Sequence, residues 1–455
     1  MMNKLNSSFR DPAGFIFTSS QGEILRQINP IGAEEFDLLL SSGLYDALTK
    51  KNYLISHEEV GDVNADAYKT IKPELLPFIS YPYEWSFGQL KDAALLTLFI
   101  QKASLKKGMS LKDASAYNVQ FVKGKPVFID TLSFEKYEEG KPWVAYKQFC
   151  QHFLAPVALA ALTDIRCLQL LKSNIDGIPL DLAATLLPLK SKFTFSLATH
   201  IHLHAKTQKK YAGKQTNQKS GRGVSKMAML GLIDNLINAI KKLKWNPNGT
   251  EWGDYYTFTN YSDSSFDAKK ELVGSYIDRI NPRNVWDLGA NDGTFSSIAA
   301  LKGIETVAFD IDPIAVEKNY RRVKHDKISM LPLQLDLTNP SNSIGWGHEE
   351  RDSLEQRGRV DAVMALAIIH HISISNNVPL TKVADYLSRL GKHVIIEFVP
   401  KEDSQVKILL ATREDIFVDY HIEGFEKAFT TYFDIVEKQQ VGDSLRTLYL
   451  LKSKK

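Results

Sequence analysis

Short apolar runs and helical spacing of apolar residues define the predicted elements in the N-terminal part of the chain. Runs at residues 15–18 and 23–28, separated by a Ser-Gln-Gly turn, predict a pair of strands. Apolar residues spaced near 3.6 positions predict helices over residues 33–50 and 87–106. A hairpin is predicted at residues 119–129. This mixture predicts an α+β domain over residues 1–200.

The C-terminal part alternates between strand and helix patterns. Apolar strand patterns lie at residues 285–288, 305–310, 333–336 and 393–399, and residues 360–371 predict a further strand and the loop after it. Helices are predicted at 228–244, 297–301 and 425–433, and a closing hairpin at 433–437 and 446–451. Such alternation is typical of α/β folds built on a parallel sheet. We predict one such domain over residues 228–455.

The stretch from Asn284 to Ser296 predicts a buried strand, a tight turn and the start of a helix. Gly289 and Gly293 bracket the turn, and such a turn lets backbone N–H groups approach a ligand closely. The next strand ends at Asp310, 21 positions after Gly289. A Rossmann-type unit places a carboxylate on ribose hydroxyls at about this spacing. The sequence therefore predicts a site for a ribose-bearing cofactor.

These residues resemble the class I S-adenosylmethionine-dependent methyltransferases, over roughly residues 252–455. The resemblance implies S-adenosylmethionine as cofactor and a Rossmann-like, seven-stranded α/β domain with an antiparallel last strand. Asp287, before the first glycine, favours this family over dehydrogenases. Asn291 stands at the family's middle glycine, and Asn tolerates left-handed backbone angles better than most residues. Asp287 and the turn Gly289, Asn291 and Gly293 are thereby expected at the methionine end of the cofactor.

The resemblance also implies contacts with the nucleoside end. Asp310 is expected to accept hydrogen bonds from the ribose hydroxyls, and Asp312 or Ile311 to flank the adenine. Asp336, after the third strand, is expected to accept from the adenine amino group. No metal is implied.

Two histidines follow the fourth predicted strand, where acceptors dock in this family. His371 is the first candidate for a general base and His370 the second, because a histidine can take a proton near neutral pH. Glu397, in the fifth strand, is another candidate on the acceptor side. Methyl transfer from a sulfonium requires few particular side chains, so the acceptor stays open: a small molecule, a saccharide, a glycolipid, RNA or protein.

A second motif lies in the N-terminal part. Asp113, Asn118 five positions later, and Asp130 at the end of a hairpin are similar to the catalytic half of protein-kinase-like phosphotransferases. There is no glycine-rich loop, and Arg26 is only a candidate for the strand lysine. The alternatives are a degenerate kinase-like domain, a nucleotide–metal site at these three residues, a non-catalytic binding protein, or three residues with local structural roles. Residues 113–121 and 143–153 also resemble bacterial two-part methyltransferases, a group that includes a nodulation-related protein.

Composition adds few constraints. The chain has 455 residues, a net charge of +3 and 44% hydrophobic residues, which is ordinary for a globular protein. Cys150 and Cys167 are not at metal-ligand spacing. The start has no apolar core of a signal peptide, and the best apolar run, residues 93–100, is too short to span a membrane. We therefore expect a cytoplasmic protein.

A basic linker is predicted over residues 201–227. No acidic residue occurs between Asp181 and Asp234, and seven lysines and arginines occur in residues 206–226. The alternatives are a solvated loop and an arm that contacts an anionic partner such as RNA. Three alternating histidines, His200, His202 and His204, are expected on a polar strand or at a helix end. The polar insertion 339–359 predicts a lid or a surface loop.

Overall fold

The structure is a computed structural model that describes residues 3–61, 64–206, 223–247, 263–411 and 413–455. The chain divides into two compact units. The first comprises Met1–Asn246 with Ser343–Arg351, and the second comprises Pro247–Asn342 with Asp352–Lys455. Most of the predicted basic linker lies outside the described residues. In the described part of the chain, no helix is long and apolar enough to cross a membrane.

The predicted boundaries, 1–200, 201–227 and 228–455, differ from this division. Helix Lys226–Lys242 belongs to the first unit, where it packs on helix Phe87–Lys106. On helix Phe87–Lys106, Lys102 pairs with Asp234 at 2.5 Å, and Lys91 donates to the carbonyl of Leu243 at 2.6 Å. The apolar face that predicted this helix therefore covers the first unit.

The first unit contains an antiparallel five-stranded sheet and two small two-stranded antiparallel sheets, β6-β9 and β7-β8. The sheet order is β1-β2-β3-β5-β4. The strands of this unit are β1 (Asn3–Lys4), β2 (Gly14–Thr18), β3 (Ile24–Ile28), β4 (His57–Val60), β5 (Lys69–Pro73), β6 (Met109–Leu111), β7 (Val119–Val122), β8 (Lys125–Phe128) and β9 (Phe134–Lys136). The mixed α+β composition agrees with the sequence pattern.

Helices form the rest of the first unit. They are Ala33–Ser41, Leu44–Thr49, Phe87–Lys106, Tyr146–Phe149, Ala155–Leu162, Leu170–Ser173, Leu180–Leu186, Phe195–Leu197 and Lys226–Lys242, with π-helical turns at Cys150–Leu154 and Ala198–Leu203. The single helix predicted over residues 33–50 is wrong. Gly43 has a left-handed φ of 69° and divides it in two, because that conformation ends a helix.

Residues 343–351 complete the first unit from a distant part of the sequence. The carboxylate of Glu350 accepts from Arg10 Nη2 at 2.7 Å and from the backbone N–H of Trp346 at 2.8 Å. The guanidinium of Arg351 lies 4.3 Å from the centre of the Tyr117 ring. This part of the predicted lid or surface loop is thus fixed by charge and stacking.

The second unit is built on a seven-stranded mixed sheet. Its order is β12-β11-β10-β13-β14-β16-β15, in which the first five are parallel and β16 runs antiparallel to both neighbours. The strands are β10 (Asn284–Leu288), β11 (Glu305–Asp310), β12 (Met330–Gln334), β13 (Val360–Ala365), β14 (Gly391–Phe398), β15 (Phe433–Gln440) and β16 (Thr447–Ser453). The α/β class expected from the alternating pattern is confirmed.

Helices flank this sheet and leave the carboxyl ends of its central strands available for a site. They are Asp263–Ile280, Ser296–Ala300, Pro313–Asp326, Leu380–Leu390, Ser404–Leu410 and Ile422–Thr430, with a π-helical turn at His371–Ser375. The chain leaves β10 toward β11 on one side, while β13 lies on the other side. Ligands of open parallel sheets bind at such a reversal of strand order.

Candidate active site

The turn after β10 requires its glycines. Gly289, Asn291 and Gly293 have left-handed φ angles of 85°, 51° and 79°. A Cβ on Gly289 would lie 2.2 Å from Cγ2 of Ile368, and a Cβ on Gly293 would lie 2.5 Å from the amide of Asn319. The N–H groups of Gly289 and Ala290 both donate to the carbonyl of Phe309, which holds the turn against β11.

Asp310 ends β11 beside this turn. Its two carboxylate oxygens accept from the backbone N–H groups of Asn291 at 2.7 Å and Asp312 at 2.8 Å. Burial raises the pKa of Asp310 to about 6, although these hydrogen bonds oppose the shift. Each oxygen retains a further acceptor direction. Asp312 caps helix Pro313–Asp326 by accepting from the N–H of Ile314 at 2.8 Å, so its carboxylate already has a structural role.

Asp287 lies within β10, and only 1% of its surface is exposed. Its Oδ2 accepts from the hydroxyl of Ser296 at 2.5 Å, whereas its Oδ1 has no hydrogen-bond partner among the described residues. Burial raises the pKa of Asp287 to about 7; the Asp310 charge raises it further, while Ser296 and the Lys269 charge lower it. A buried carboxylate of this kind favours a cationic partner.

Asp336 follows β12 and is half-buried. Its Oδ1 accepts from both the N–H and the hydroxyl of Thr338, at 2.8 and 2.6 Å, which closes a local turn. Ile311, the alternative neighbour of the adenine, is 55% exposed. The structure thus gives Asp336 a local function; its predicted contact with adenine stays a prediction.

The two predicted histidines follow β13 and a left-handed Ala367 with φ of 53°. Their ring centroids are 4.1 Å apart. His370 is buried, and neither ring nitrogen has a hydrogen-bond partner among the described residues. His371 is half-buried. Burial lowers both pKa values, to about 4 for His371 and well below the ordinary value for His370, so both rings are neutral at pH 7.

A buried charge network lies near these histidines. Lys269 Nζ pairs with Glu397 at 2.6 Å, and the guanidinium of Arg446 lies 3.8 Å from the same carboxylate and 2.8 Å from Asp403. The charges of Lys269 and Arg446 help lower the pKa of His370. Glu397 was expected on the acceptor side, but its carboxylate is held by these cations.

Lys269 was not among the predicted site residues, although one signal in the sequence pointed to it. Lys269 precedes Leu272, Val273 and Tyr276 by three, four and seven positions, all of them buried in helix Asp263–Ile280. A lysine on the apolar side of an amphipathic helix indicates either an exposed end or a buried partner. Its Nζ is also 4.6 Å from the centre of the Phe295 ring.

In the first unit, Asp113, Asn118 and Asp130 come together. Asn118 donates to the Ser133 hydroxyl at 3.2 Å, and that hydroxyl donates to Asp130 at 2.5 Å. Arg26 pairs with Asp130 at 2.6 Å. Burial raises the pKa of Asp113, and the Asp130 charge raises it further. Burial also raises the pKa of Asp130, but the Arg26 charge and hydrogen bonds outweigh burial and hold this pKa below its ordinary value.

The three alternating histidines have structural contacts. They lie on the π-helical turn Ala198–Leu203 and the residue after it. His200 bonds with the Tyr146 hydroxyl at 2.6 Å and Asn235 at 2.9 Å, and His202 bonds with Ser191 at 2.8 Å. Across the described ranges, no group of three or more His, Cys, Asp or Glu side chains is arranged to hold a metal ion.

Comparison with known proteins identifies the family. The chain is 36% identical to the nodulation protein NoeA of Rhizobium meliloti (strain 1021) over 456 aligned positions, covering 98% of this chain and 95% of that protein. The chain belongs to the NoeA family. No family model matches it.

Solved structures resemble parts of the chain more distantly. The N-methyltransferase NodS of Bradyrhizobium japonicum WM9 is 11% identical, with a TM-score of 0.30, over 43% of this chain and 99% of that one. The magnesium protoporphyrin IX methyltransferase of Synechocystis PCC 6803, with bound SAH, is 14% identical, with a TM-score of 0.31, over 44% and 93%. The bifunctional kinase-methyltransferase WbdD is 18% identical, with a TM-score of 0.29, over 42% and 40%. Likenesses of this size do not decide the fold or the activity.

The raised pKa of Asp287 predicts a pH-dependent stability. In the unfolded chain this pKa is near 4, against about 7 in the folded protein. The stability associated with the protonated carboxyl is therefore full below about pH 4 and is lost as the pH rises through about 7. We expect Asp287→Asn to raise the melting temperature of the cofactor-free protein by about 5 °C at pH 8 and by little at pH 4. Equal shifts at both pH values, or a like effect of the exposed Asp326→Asn, would contradict this.

The buried pair of Lys269 and Glu397 predicts a compensating double substitution. Lys269→Met removes the cation that pairs with the buried Glu397 carboxylate at 2.6 Å, so we expect a loss of about 3 kcal/mol in the free energy of unfolding. Lys269→Met combined with Glu397→Gln removes both charges and should recover more than half of that loss. Urea denaturation measures both values. If the double variant is as unstable as the single one, the loss does not come from leaving the Glu397 charge without Lys269.

Proposed function

We propose that this chain is an S-adenosylmethionine-dependent methyltransferase whose cofactor binds the second unit. The observation that carries the proposal is the pair of buried acids, Asp287 and Asp310, on adjacent strands at a glycine turn. Strands β10 and β11 are parallel and in register, with Asp287 beside Ala308 and Leu288 beside Phe309. The Asp310 carboxylate accepts from two backbone N–H groups, whereas Oδ1 of Asp287 has no hydrogen-bond partner among the described residues.

The residues present suit this cofactor. The unpartnered Oδ1 of Asp287 matches a cationic group, which the methionine end of the cofactor provides. Asp310 retains acceptor directions for ribose hydroxyls. The turn depends on glycine at position 289, because a Cβ there would lie 2.2 Å from Cγ2 of Ile368. Asp312 and Asp336 are proposed to contact the adenine. This assignment is supported by their positions just after β11 and β12, which are neighbouring strands.

When bound, the sulfonium cofactor supplies an activated methyl group that an acceptor atom displaces directly. The chain's own task is then to orient the acceptor and to take up its proton where it has one. His371 is proposed for that proton, because its ring is neutral and half-buried, whereas buried His370 packs against it. With a pKa of about 4, His371 is a weak base in the cofactor-free protein, which suits an acidic acceptor group.

The acceptor class remains part of the proposal. A small molecule, a saccharide or RNA fits the chemistry, and the first unit is proposed to select it. We also propose that the protein acts in the cytoplasm.

A second candidate function is a nucleotide–metal site in the first unit. Two contacts favour it: Ser133 joins Asn118 to Asp130, and Asp113 lies close enough to both to hydrogen-bond with Asn118 and to feel the Asp130 charge. The Arg26 guanidinium weighs against it, because it already neutralises Asp130 at 2.6 Å. The arrangement therefore favours a phosphotransferase-like scaffold that binds a nucleotide without transferring its phosphate.

Cofactor binding tests the main proposal. Calorimetry should detect S-adenosylmethionine binding that Asp310→Ala weakens at least tenfold, while the exposed Asp326→Ala leaves it unchanged. Since a cationic ligand prefers ionised Asp287, whose pKa is about 7, affinity should be constant above pH 8 and fall about tenfold per pH unit below pH 6. Unchanged binding by Asp310→Ala would show that the cofactor binds elsewhere.

ATP with magnesium tests the second candidate. If Asp130 holds a metal-bound nucleotide, titration should show magnesium-dependent heat that Asp130→Ala abolishes and Asp326→Ala preserves. No heat from the wild-type protein would remove this candidate. Binding of ATP without any binding of S-adenosylmethionine would move the active site to Asp113, Asn118 and Asp130.

A further inference from the structure

Large apolar side chains are exposed close together in the first unit. Phe193 is 90% exposed, Phe195 73% and Leu189 72%. They lie on two successive short helices, Leu189–Phe193 and Phe195–Leu197. Folded proteins rarely expose a contiguous group of large apolar residues unless it binds something.

These short helices have a fixed base. Ser191, between the exposed residues, is buried, and its hydroxyl contacts the Pro188 carbonyl at 2.7 Å and His202 at 2.8 Å. Leu197 is buried, and His200 bonds to Asn235 on helix Lys226–Lys242 at 2.9 Å. The phenylalanines therefore extend outward from an ordered base.

Further apolar residues adjoin this base. Leu203 directly follows His202 and is exposed, and Met227 is exposed at the start of the helix that packs on Phe195–Leu197. We define the Phe193 surface by its exposed apolar members, Leu186, Leu189, Phe193, Phe195, Leu203 and Met227.

Positive charges are interleaved with these residues. Lys190 and Lys192 are exposed within the first short helix, and Lys206 is exposed beyond Leu203. Burial lowers the pKa of His202, and the charges of Lys192 and Lys206 lower it further, which brings both lysines near the same ring. The sequence contains no acidic residue from 182 to 233. The surface is thus both apolar and cationic.

We propose that the Phe193 surface docks on an anionic lipid bilayer, with its phenylalanines and leucines entering the interface and its lysines contacting lipid phosphates. Interleaved lysines are unusual in the core of a protein interface, which is depleted of charge. Aliphatic Leu189, Leu203 and Met227 offer no face for stacking nucleic-acid bases. Apolar residues beside lysines fit the boundary between head groups and acyl chains.

Vesicle flotation with the full chain tests this. Wild type should float with vesicles of phosphatidylcholine containing a quarter phosphatidylglycerol, and hardly with phosphatidylcholine alone. The double variant Phe193→Ser, Phe195→Ser should abolish binding. The double variant Lys190→Gln, Lys192→Gln should weaken binding more than tenfold at low salt, because each lysine near an anionic surface contributes about fivefold to the affinity. The control is Ile416→Ser with Val418→Ser, which changes exposed apolar residues of the second unit and should leave binding intact.

Several outcomes would overturn the proposal. They are no flotation of wild type, or equal flotation by the phenylalanine variant with an unchanged melting temperature. A wild-type dimer in solution that the phenylalanine variant dissolves would assign the surface to a second copy of the chain instead. Binding to poly(U) that the same variant abolishes, without vesicle binding, would assign it to RNA.

Discussion

A buried carboxylate needs a counter-charge or a proton, and the centre of the second unit depends on how this need is met. Lys269 and Arg446 meet it for Glu397 within the fold. Asp310 meets it through two backbone N–H groups, that of Asn291 in the glycine turn and that of Asp312 after β11. Among the described residues, Asp287 accepts a hydrogen bond from Ser296 at Oδ2 and from none at Oδ1, so its ionisation would be stabilised by a cationic ligand. The sheet register makes this unavoidable, because it fixes both acids on neighbouring strands.

The two units balance the charge of their buried carboxylates in opposite ways. In the first unit, a guanidinium on β3 lies against Asp130, so the acidic cluster carries its own cation. In the second unit, Lys269, whose charge acts on Asp287, pairs with Glu397 at 2.6 Å. A site that is internally neutralised has little to gain from a charged ligand, whereas a site with an uncompensated acid gains much. This contrast is the physical reason to assign the cofactor to the second unit.

Local pattern predicted much of this architecture. The turn between Gly289 and Gly293, the acid at Asp310 and the left-handed Asn291 follow from residue types at close spacing. Contacts between distant residues were not predictable in this way. Lys269 meets a carboxylate 128 positions away, and helix Lys226–Lys242 packs on a helix more than a hundred positions earlier. An amphipathic pattern shows that a face is buried, but not which partner covers it.

The return of residues 343–351 to the first unit has a consequence for biosynthesis. Arg10 leaves the ribosome long before its partner Glu350, which is made 340 positions later. Until then the first unit lacks the stacking of Arg351 on Tyr117 as well. The N-terminal unit therefore cannot reach its final packing during translation before the central strands of the second unit have begun to appear. Maturation of the two units is coupled in time by the order of the chain alone.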